Sequence, residues 1–273
     1  MTDLNNLTKA HGRCLVMAVL NVTPDSFSDG GRYMGVADAL KQAVRMVDEG
    51  ADILDVGGES ARPGALPVSA EDELERVIPV IEKLRAEFDL PISIDTSKAV
   101  VMREAVSAGA DMINDVRALQ SPGSLQAAAE LDVPVCLMHM RGEPRTMQDA
   151  PDYADVVDDV SQFLQERIAA CLTAGMTSGR LIVDPGFGFG KTLAHNLTLL
   201  RNLDQIVALG YPLLVGLSRK SMLGQILDRP VDQRLYGGLT LALIARQKGA
   251  SIVRVHDVAQ TVDALRVLQA VSD

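Results

Sequence analysis

Six apolar runs in this chain end on residues that can do chemistry. Asn21 follows "CLVMAVL", Asp95 follows "ISI", Asn114 follows "MI" and Asp184 follows "LIV"; Lys220 comes just after "LLVGLS", and Arg254 and His256 sit in "SIVRVH". Taken singly, each fits a turn former or a helix cap. Taken together they do not, because chance capping would not set Asp, Asn and Asp directly behind apolar runs, where a carboxylate or amide without a partner carries a desolvation cost. The set divides chemically. Asp95, Asn114 and Asp184 offer acceptors and amide donors that match a flat heterocycle with amino, ring N–H and carbonyl groups. Arg62, Lys220, Arg254 and His256 are donors that match a phosphate or another anion. The pattern predicts a site for a hydrogen-bonding heterocycle carrying an anionic leaving group.

Two further segments invite comparison with phosphate sites. "DPGFGFGKT" follows a predicted strand and ends in Gly190, Lys191 and Thr192. A Walker A loop needs Gly five positions before Gly190, and Pro185 stands there. A tight loop that lets backbone approach a planar ligand, with Phe189 placed to cover it, is the better reading. In "LSRKSMLGQIL", Arg219, Lys220 and Ser221 open an apolar-periodic helix, where free N–H groups favour a carboxylate or phosphate, and Arg219 is expected to gather with Arg62, Lys220, Arg254 and His256 at one mouth. A plain N-cap serine is the alternative; Lys220 beside it favours anion binding.

These residues need elements to hold them. Short apolar or β-branched runs alternate with longer amphipathic stretches along the whole chain, which predicts repeated βα units. The strands read in order as "CLVMAVLN", "ADILDVGG", "PISIDTS", "DMINDV", "PVCLMHM", "RLIVDPG", "PLLVGLS" and "SIVRVHD". Eight units in 273 residues is about the period of a TIM (β/α)8 barrel, whose catalytic groups come from the C-terminal strand ends. An open doubly wound sheet is the rival, and it lacks its Gly-rich fingerprint after the first strand. No linker composition divides residues 1–273, so one domain is expected. The seams "EGADILDV", "AGADMINDV" and "KGASIVRV" form a weak internal repeat at helix-to-strand joints.

Composition narrows the partners. With 26 Lys and Arg against 36 Asp and Glu the net charge is -10, which argues against nucleic acid and against a basic membrane-surface site. The longest early apolar run is too short to span a bilayer. Cys14, Cys136 and Cys171 have no paired or metal-ligand spacing, and the four histidines lie far apart; reduced thiols and a cytoplasmic location are expected.

The motifs "LNVTPDSFSDGG", "DVGGESARPGA", "ISIDTSKA", "INDV", "LMHMRGEPRTMQ", "LIVDPGFGFGK", "LLVGLSRKSMLG" and "VRVHDV", in this order, resemble the motif set of the dihydropteroate synthase family over nearly the whole chain. The resemblance implies a TIM barrel that joins 6-hydroxymethyl-7,8-dihydropterin diphosphate to 4-aminobenzoate and releases pyrophosphate, in folate biosynthesis, and that is a sulfonamide target. It implies pterin-ring roles for Asp95, Asn114, Asp184 and Lys220, with Met138, Gly216 and Phe189 around the ring. It implies diphosphate roles for Asn21, Arg62, Arg254 and His256, with Asn21 as a Mg²⁺ ligand. Phe27, Arg62, Pro63, Phe189 and Ser221 are implied for aminobenzoate, and Asp95, Asp184, Lys220, Arg254 and His256 for catalysis. A homodimer through the later helices is implied as well. One position departs from the family's "ESTRPG": Ala61 replaces the hydroxyl residue, which predicts altered aminobenzoate or sulfonamide affinity. The nearest alternatives are a pterin-dependent methyltransferase barrel, against which "NVTPDSFSDGG" and "SRKS" argue, and a non-catalytic pterin-binding module.

Overall fold

The computed structural model of the chain describes residues 13–23, 32–60, 64–143, 146–147 and 151–272. Eight parallel strands form one sheet: β1 (Leu15–Asn21), β2 (Ile53–Gly57), β3 (Ile92–Asp95), β4 (Met112–Asp115), β5 (Val135–Met138), β6 (Leu181–Asp184), β7 (Leu214–Val215) and β8 (Ile252–Val255). Their spatial order is β6-β5-β4-β3-β2-β1-β8-β7, and a parallel bridge between Val183 and Leu213 joins the two ends. The sheet therefore closes into the expected barrel.

Strand β7 is shorter than "PLLVGLS" suggests. Its pairing with β8 stops at Val215↔Val253, and beyond that point the Ser218 hydroxyl, not a ladder carbonyl, accepts the His256 backbone N–H at 3.2 Å. Gly216 and Ser218 are thereby released from the ladder to line the mouth.

The helices follow the strands around the outside: α1 (Arg32–Asp48), α2 (Ala70–Glu87), α3 (Ala99–Ser107), α4 (Ser124–Glu130), α5 (Val156–Thr173), α6 (Leu193–Arg201), the short α7 (Leu203–Val207), α8 (Ser221–Leu227), α9 (Leu235–Gln247) and α10 (Val258–Ser272). Side-chain caps mark several starts. The Ser69 hydroxyl accepts the Asp72 N–H before α2, and Asp155 accepts from Val157 and Asp158 before α5. No described helix is long and apolar enough to cross a membrane.

The repeated seam has a structural meaning. Asp52 Oδ2 accepts the Val16 N–H at 2.8 Å, and Asp111 Oδ2 accepts the Ile92 N–H at 2.9 Å. Each carboxylate thus holds the start of the preceding neighbour strand, and each is paired with an arginine, Arg13 and Arg85 respectively. Two aspartates of the repeated seam are thus tied into the base of the barrel.

Alternation along the strands splits the barrel interior by depth. Leu15, Met17, Ile53, Met112, Cys136, Ile182, Leu214 and Ile252 form a buried apolar cluster of their own. Two residues further along their strands, Asp55, Asn114, Met138, Asp184, Gly216 and Arg254 follow, and this second level is mostly polar. An apolar floor thus excludes water from below, while polar side chains look toward the mouth.

Candidate active site

A recess of about 500 Å³, counting its open mouth, lies at the C-terminal end of the strands. It is lined by Asp95, Asn114, Met138, Asp184, Phe189, Gly216, Ser218, Lys220, Arg254 and His256, with Val116, Gly186 and Phe187. All the residues named from sequence for the heterocycle are here, supplied by β3, β4, β5, β6, the loop after β6 and the segment after β7.

One member was not legible. Asp55, in the middle of β2 and fully buried, takes Arg254 Nε on its Oδ2 at 2.5 Å and Asn114 Nδ2 on the same oxygen at 3.2 Å. Arg254 Nη2 also donates to Asp95 Oδ2 at 2.7 Å. The guanidinium is therefore clamped between two carboxylates. Burial works against its charge, but Asp55 and Asp95 outweigh this and its pKa rises. In turn Arg254 only partly offsets the burial that pushes Asp95 up to about 7. The Asn114 amide is oriented by Asp55, which leaves its carbonyl oxygen for a ligand donor.

On the opposite wall, Asp184 Oδ1 accepts the Gly186 N–H at 2.7 Å. Burial raises its pKa to about 6, against the pull of that N–H and of Lys220. Lys220 shows the reverse: burial lowers it to about 8, with Asp184 opposing. Its ammonium lies over the Phe189 ring, 4.0 Å from the centroid, a cation–π contact in a partly desolvated place. Phe189 therefore positions a cation as well as covering a face of the recess.

Arg219, adjacent to Lys220, adopts a left-handed backbone (φ 59), an unfavourable conformation for a side chain of this kind. The turn sends Arg219 outward to Asp257 at 2.5 Å, while Lys220 points inward. Arg219 was expected among the cations gathered at the mouth; it belongs to the rim. Arg234 Nη1 donates to the carbonyls of Arg219 and Lys220 and holds this turn.

The remaining predicted residues lie at the periphery. Asn21 ends β1, with its Oδ1 above Gly57 near Asp95. His256 Nδ1 meets Ser218 Oγ at 3.1 Å. Ser221 is the exposed first residue of α8 and lies outside the recess lining. Phe27, Arg62 and Pro63, with Ala61, lie outside the described residues. The segment that carries three of these is anchored at both ends: Lys98 pairs with Glu59 and with the buried Glu73, Glu59 Oε1 accepts the Val68 N–H at 3.3 Å, and Arg76 holds the Gly58 carbonyl. Among the described residues no group of three or more His, Cys, Asp or Glu is placed to hold a metal ion.

Comparison with known proteins agrees with this geometry. The family model described as "Pterin binding enzyme" matches residues 17–256. A dihydropteroate synthase of Haemophilus influenzae is 55% identical over 270 residues, covering 97% of this chain and 98% of its own. The Yersinia pestis dihydropteroate synthase in a sulfonamide drug complex superposes with a TM-score of 0.91 at 52% identity, over 96% of this chain and 95% of that one. The Xanthomonas albilineans dihydropteroate synthase in complex with 7,8-dihydropteroate gives a TM-score of 0.87 at 52% identity, over 95% and 94%. With the same barrel, the same ordered motifs and this likeness from end to end, the chain belongs to the dihydropteroate synthase family of pterin-binding enzymes.

Proposed function

We propose that this protein condenses 6-hydroxymethyl-7,8-dihydropterin diphosphate with 4-aminobenzoate, giving 7,8-dihydropteroate and pyrophosphate. The observation that carries this reading is the facing of two walls across one recess: the Asp55–Arg254–Asp95 clamp with Asn114 on one side, and Asp184, Lys220 and Phe189 on the other. A pterin ring presents adjacent amino and ring N–H donors beside a carbonyl. Asp184 and the Asn114 carbonyl accept the former, and Lys220 donates to the latter.

Loss of diphosphate breaks the methylene C–O bond, and the bonding electrons leave with the diphosphate. The positive charge left on the methylene spreads into the pterin ring, against which the partly buried Asp95 and the buried Asp184 place two carboxylates. The arylamine nitrogen then forms the new C–N bond and releases a proton to solvent. No strong base is needed, because a protonated arylamine is a strong acid. Positional isotope exchange tests this order: scrambling of the bridging oxygen in the diphosphate without aminobenzoate is expected, and its complete absence would count against the dissociative step.

His256 and Arg254, with Arg62, are assigned to the diphosphate. Arg254 spends two of its donors on carboxylates, so it acts on the leaving group through its remaining N–H groups and its charge. Mg²⁺ is assigned as the cofactor, with Asn21 as its protein ligand. One hard carboxamide oxygen at the end of β1, with no carboxylate cage among the described residues, suits an ion that would keep most of its coordination on diphosphate oxygens and water. When bound, the ion supplies charge neutralisation for the leaving group. Ser221, Phe189, Phe27, Arg62 and Pro63 are assigned to aminobenzoate.

A homodimer through the later helices is supported by apolar side chains left in solvent there, with Ile226 47%, Tyr236 80% and Val271 80% exposed. Three buried, unpaired cysteines support a reducing, cytoplasmic compartment. Mixing the two substrates with Mg²⁺ tests the whole reading: pyrophosphate release that needs both is expected, and tight pterin binding without release would leave a binding module.

A further inference from the structure

The loop from β6 to α6 carries more than its phosphate-loop look suggested. Gly186 and Gly190 are both left-handed (φ +66 and +61) and lie so close to the exit of β5 that a Cβ on either would collide with backbone: 1.9 Å from the His139 carbonyl oxygen and 2.3 Å from that of Arg141. A loop pressed this tightly onto its neighbour turns backbone carbonyls away from water, and each of them needs a donor. Lys191 supplies two. Its Nζ lies 2.9 Å from the Gly186 oxygen, 3.0 Å from the Phe189 oxygen and 2.9 Å from His139 Nδ1. Three acceptors use all three protons of an ammonium.

This geometry removes Lys191 from phosphate chemistry. The residue is 3% exposed, and each of its protons is engaged inside the protein. Burial lowers Lys191 to about 7, with Asp184 opposing; in its ammonium form it donates to His139 Nδ1, and the ring is then neutral with its proton on Nε2. Burial, reinforced by the charge of Lys191, holds His139 far down, at about 2. The ring is seated edge-on against Phe163, with centroids 4.9 Å apart.

The two carbonyls that Lys191 holds belong to the two residues on which the substrate wall depends. The N–H of Gly186 orients the Asp184 carboxylate, and the ring of Phe189 carries the Lys220 ammonium. The loop has other ties as well: the Phe189 N–H returns to the Gly186 oxygen at 3.1 Å, the Gly188 N–H goes to Asn196 Oδ1 and the Gly190 oxygen takes the Tyr153 hydroxyl, both at 2.8 Å. Removing Lys191 therefore leaves the turn formed but takes away the side chain that ties its Gly186 and Phe189 carbonyls together.

We propose that Lys191, with neutral His139 as its third acceptor, is a positioning residue for pterin recognition: it locks the Gly186–Phe189 turn from behind and so aims Asp184, Phe189 and Lys220. The assignment rests on the pterin reading of the recess. Its test is Lys191→Met, compared with the unaltered protein by calorimetry with 6-hydroxymethylpterin and by steady-state kinetics. Loss of charge-assisted ties to both carbonyls is expected to weaken pterin affinity about 10- to 100-fold and to raise the KM of the dihydropterin diphosphate by a similar factor. The KM for aminobenzoate, whose assigned contacts share only Phe189 with this turn, should rise by less, about threefold at most, a split that general loosening of the barrel would not produce. A folded Lys191→Met protein that binds pterin as tightly as the unaltered one overturns the assignment. Should Lys191→Met fail to fold, His139→Phe decides. It keeps an aromatic ring against Phe163 and removes only the third acceptor, so a smaller loss of pterin affinity in the same direction is expected, and unchanged affinity overturns the proposal. Failure of the unaltered protein to bind pterin would overturn the reading of the recess itself, and is seen in the same experiment.

Discussion

Asp184→Asn should lower pterin affinity by about 100-fold or more while leaving the barrel folded. The substitution keeps the shape and the oxygen that accepts the Gly186 N–H, but it exchanges a charged acceptor for an amide whose NH2 faces the donors of the pterin edge. A charge-assisted hydrogen bond contributes about 1.5–3 kcal/mol, and turning an acceptor into a donor adds repulsion. The pH dependence gives a second signature. Burial raises Asp184 to about 6 and Asp95 to about 7 in the empty site, and the ionised forms are those that accept from the ligand. Affinity in the unaltered protein is therefore full above these values and falls as pH drops through them. Asp184→Asn removes the lower step and keeps that of Asp95. Calorimetric titration with a pterin from pH 5 to 8 measures both effects; undiminished affinity in the variant would sink the assignment of this wall.

The second large effect is expected at Arg254, where function and folding are joined. Arg254→Met removes the cation held between Asp55 and Asp95 and leaves Asp55, which is fully buried, with only the Asn114 amide on its paired oxygen. Breaking a buried pair from one side costs on the order of 3–5 kcal/mol, a large share of the stability of an ordinary domain. Turnover should be lost as well, since the cation next to the leaving group is gone. The double variant Asp55→Asn with Arg254→Met separates the two losses. It removes the orphaned charge, so the urea midpoint should recover much of its value while turnover stays absent. If Arg254→Met unfolds at the midpoint of the unaltered protein, the clamp contributes nothing to the fold.

Both variants also show where reading the sequence succeeds. Asp184, Asp95 and Asn114 stand at the ends of apolar runs, and a polar group in that position has one explanation in a parallel barrel: it faces the mouth. The eight runs themselves were legible because strands buried on both faces are continuously apolar; several end a residue or two before their runs do, and β7 is cut back furthest, to Leu214–Val215, where Gly216 leaves the ladder. Asp55 carries the same chemistry but sits two residues before its strand ends, and its meaning depends on Arg254, 199 positions away. Spacing along the chain holds no trace of that pairing. Arg219 misled for a local reason: a left-handed residue reverses the side-chain direction that its neighbour's position implies. Lys191 went unread for a different reason: Pro185 ruled out a Walker A loop and a tight loop was the better reading, but only the convergence of two carbonyls and an imidazole on its Nζ shows the lysine serving that loop.

The anchoring of the segment between Glu59 and Val68 has a consequence for how this enzyme can diversify. Lys98 joins Glu59 to Glu73 of α2, and Glu59 reaches across to the Val68 N–H. The segment thus leaves and re-enters the barrel through one fixed gate. Lengthening a closed loop of this kind costs little conformational entropy, and strain introduced between the two posts has no direct path to the strands. The two posts, Glu59 and Val68, are thus fixed by α2 and Lys98 rather than by the residues between them, so exchanges of sequence between the posts leave the points of attachment to the barrel unchanged.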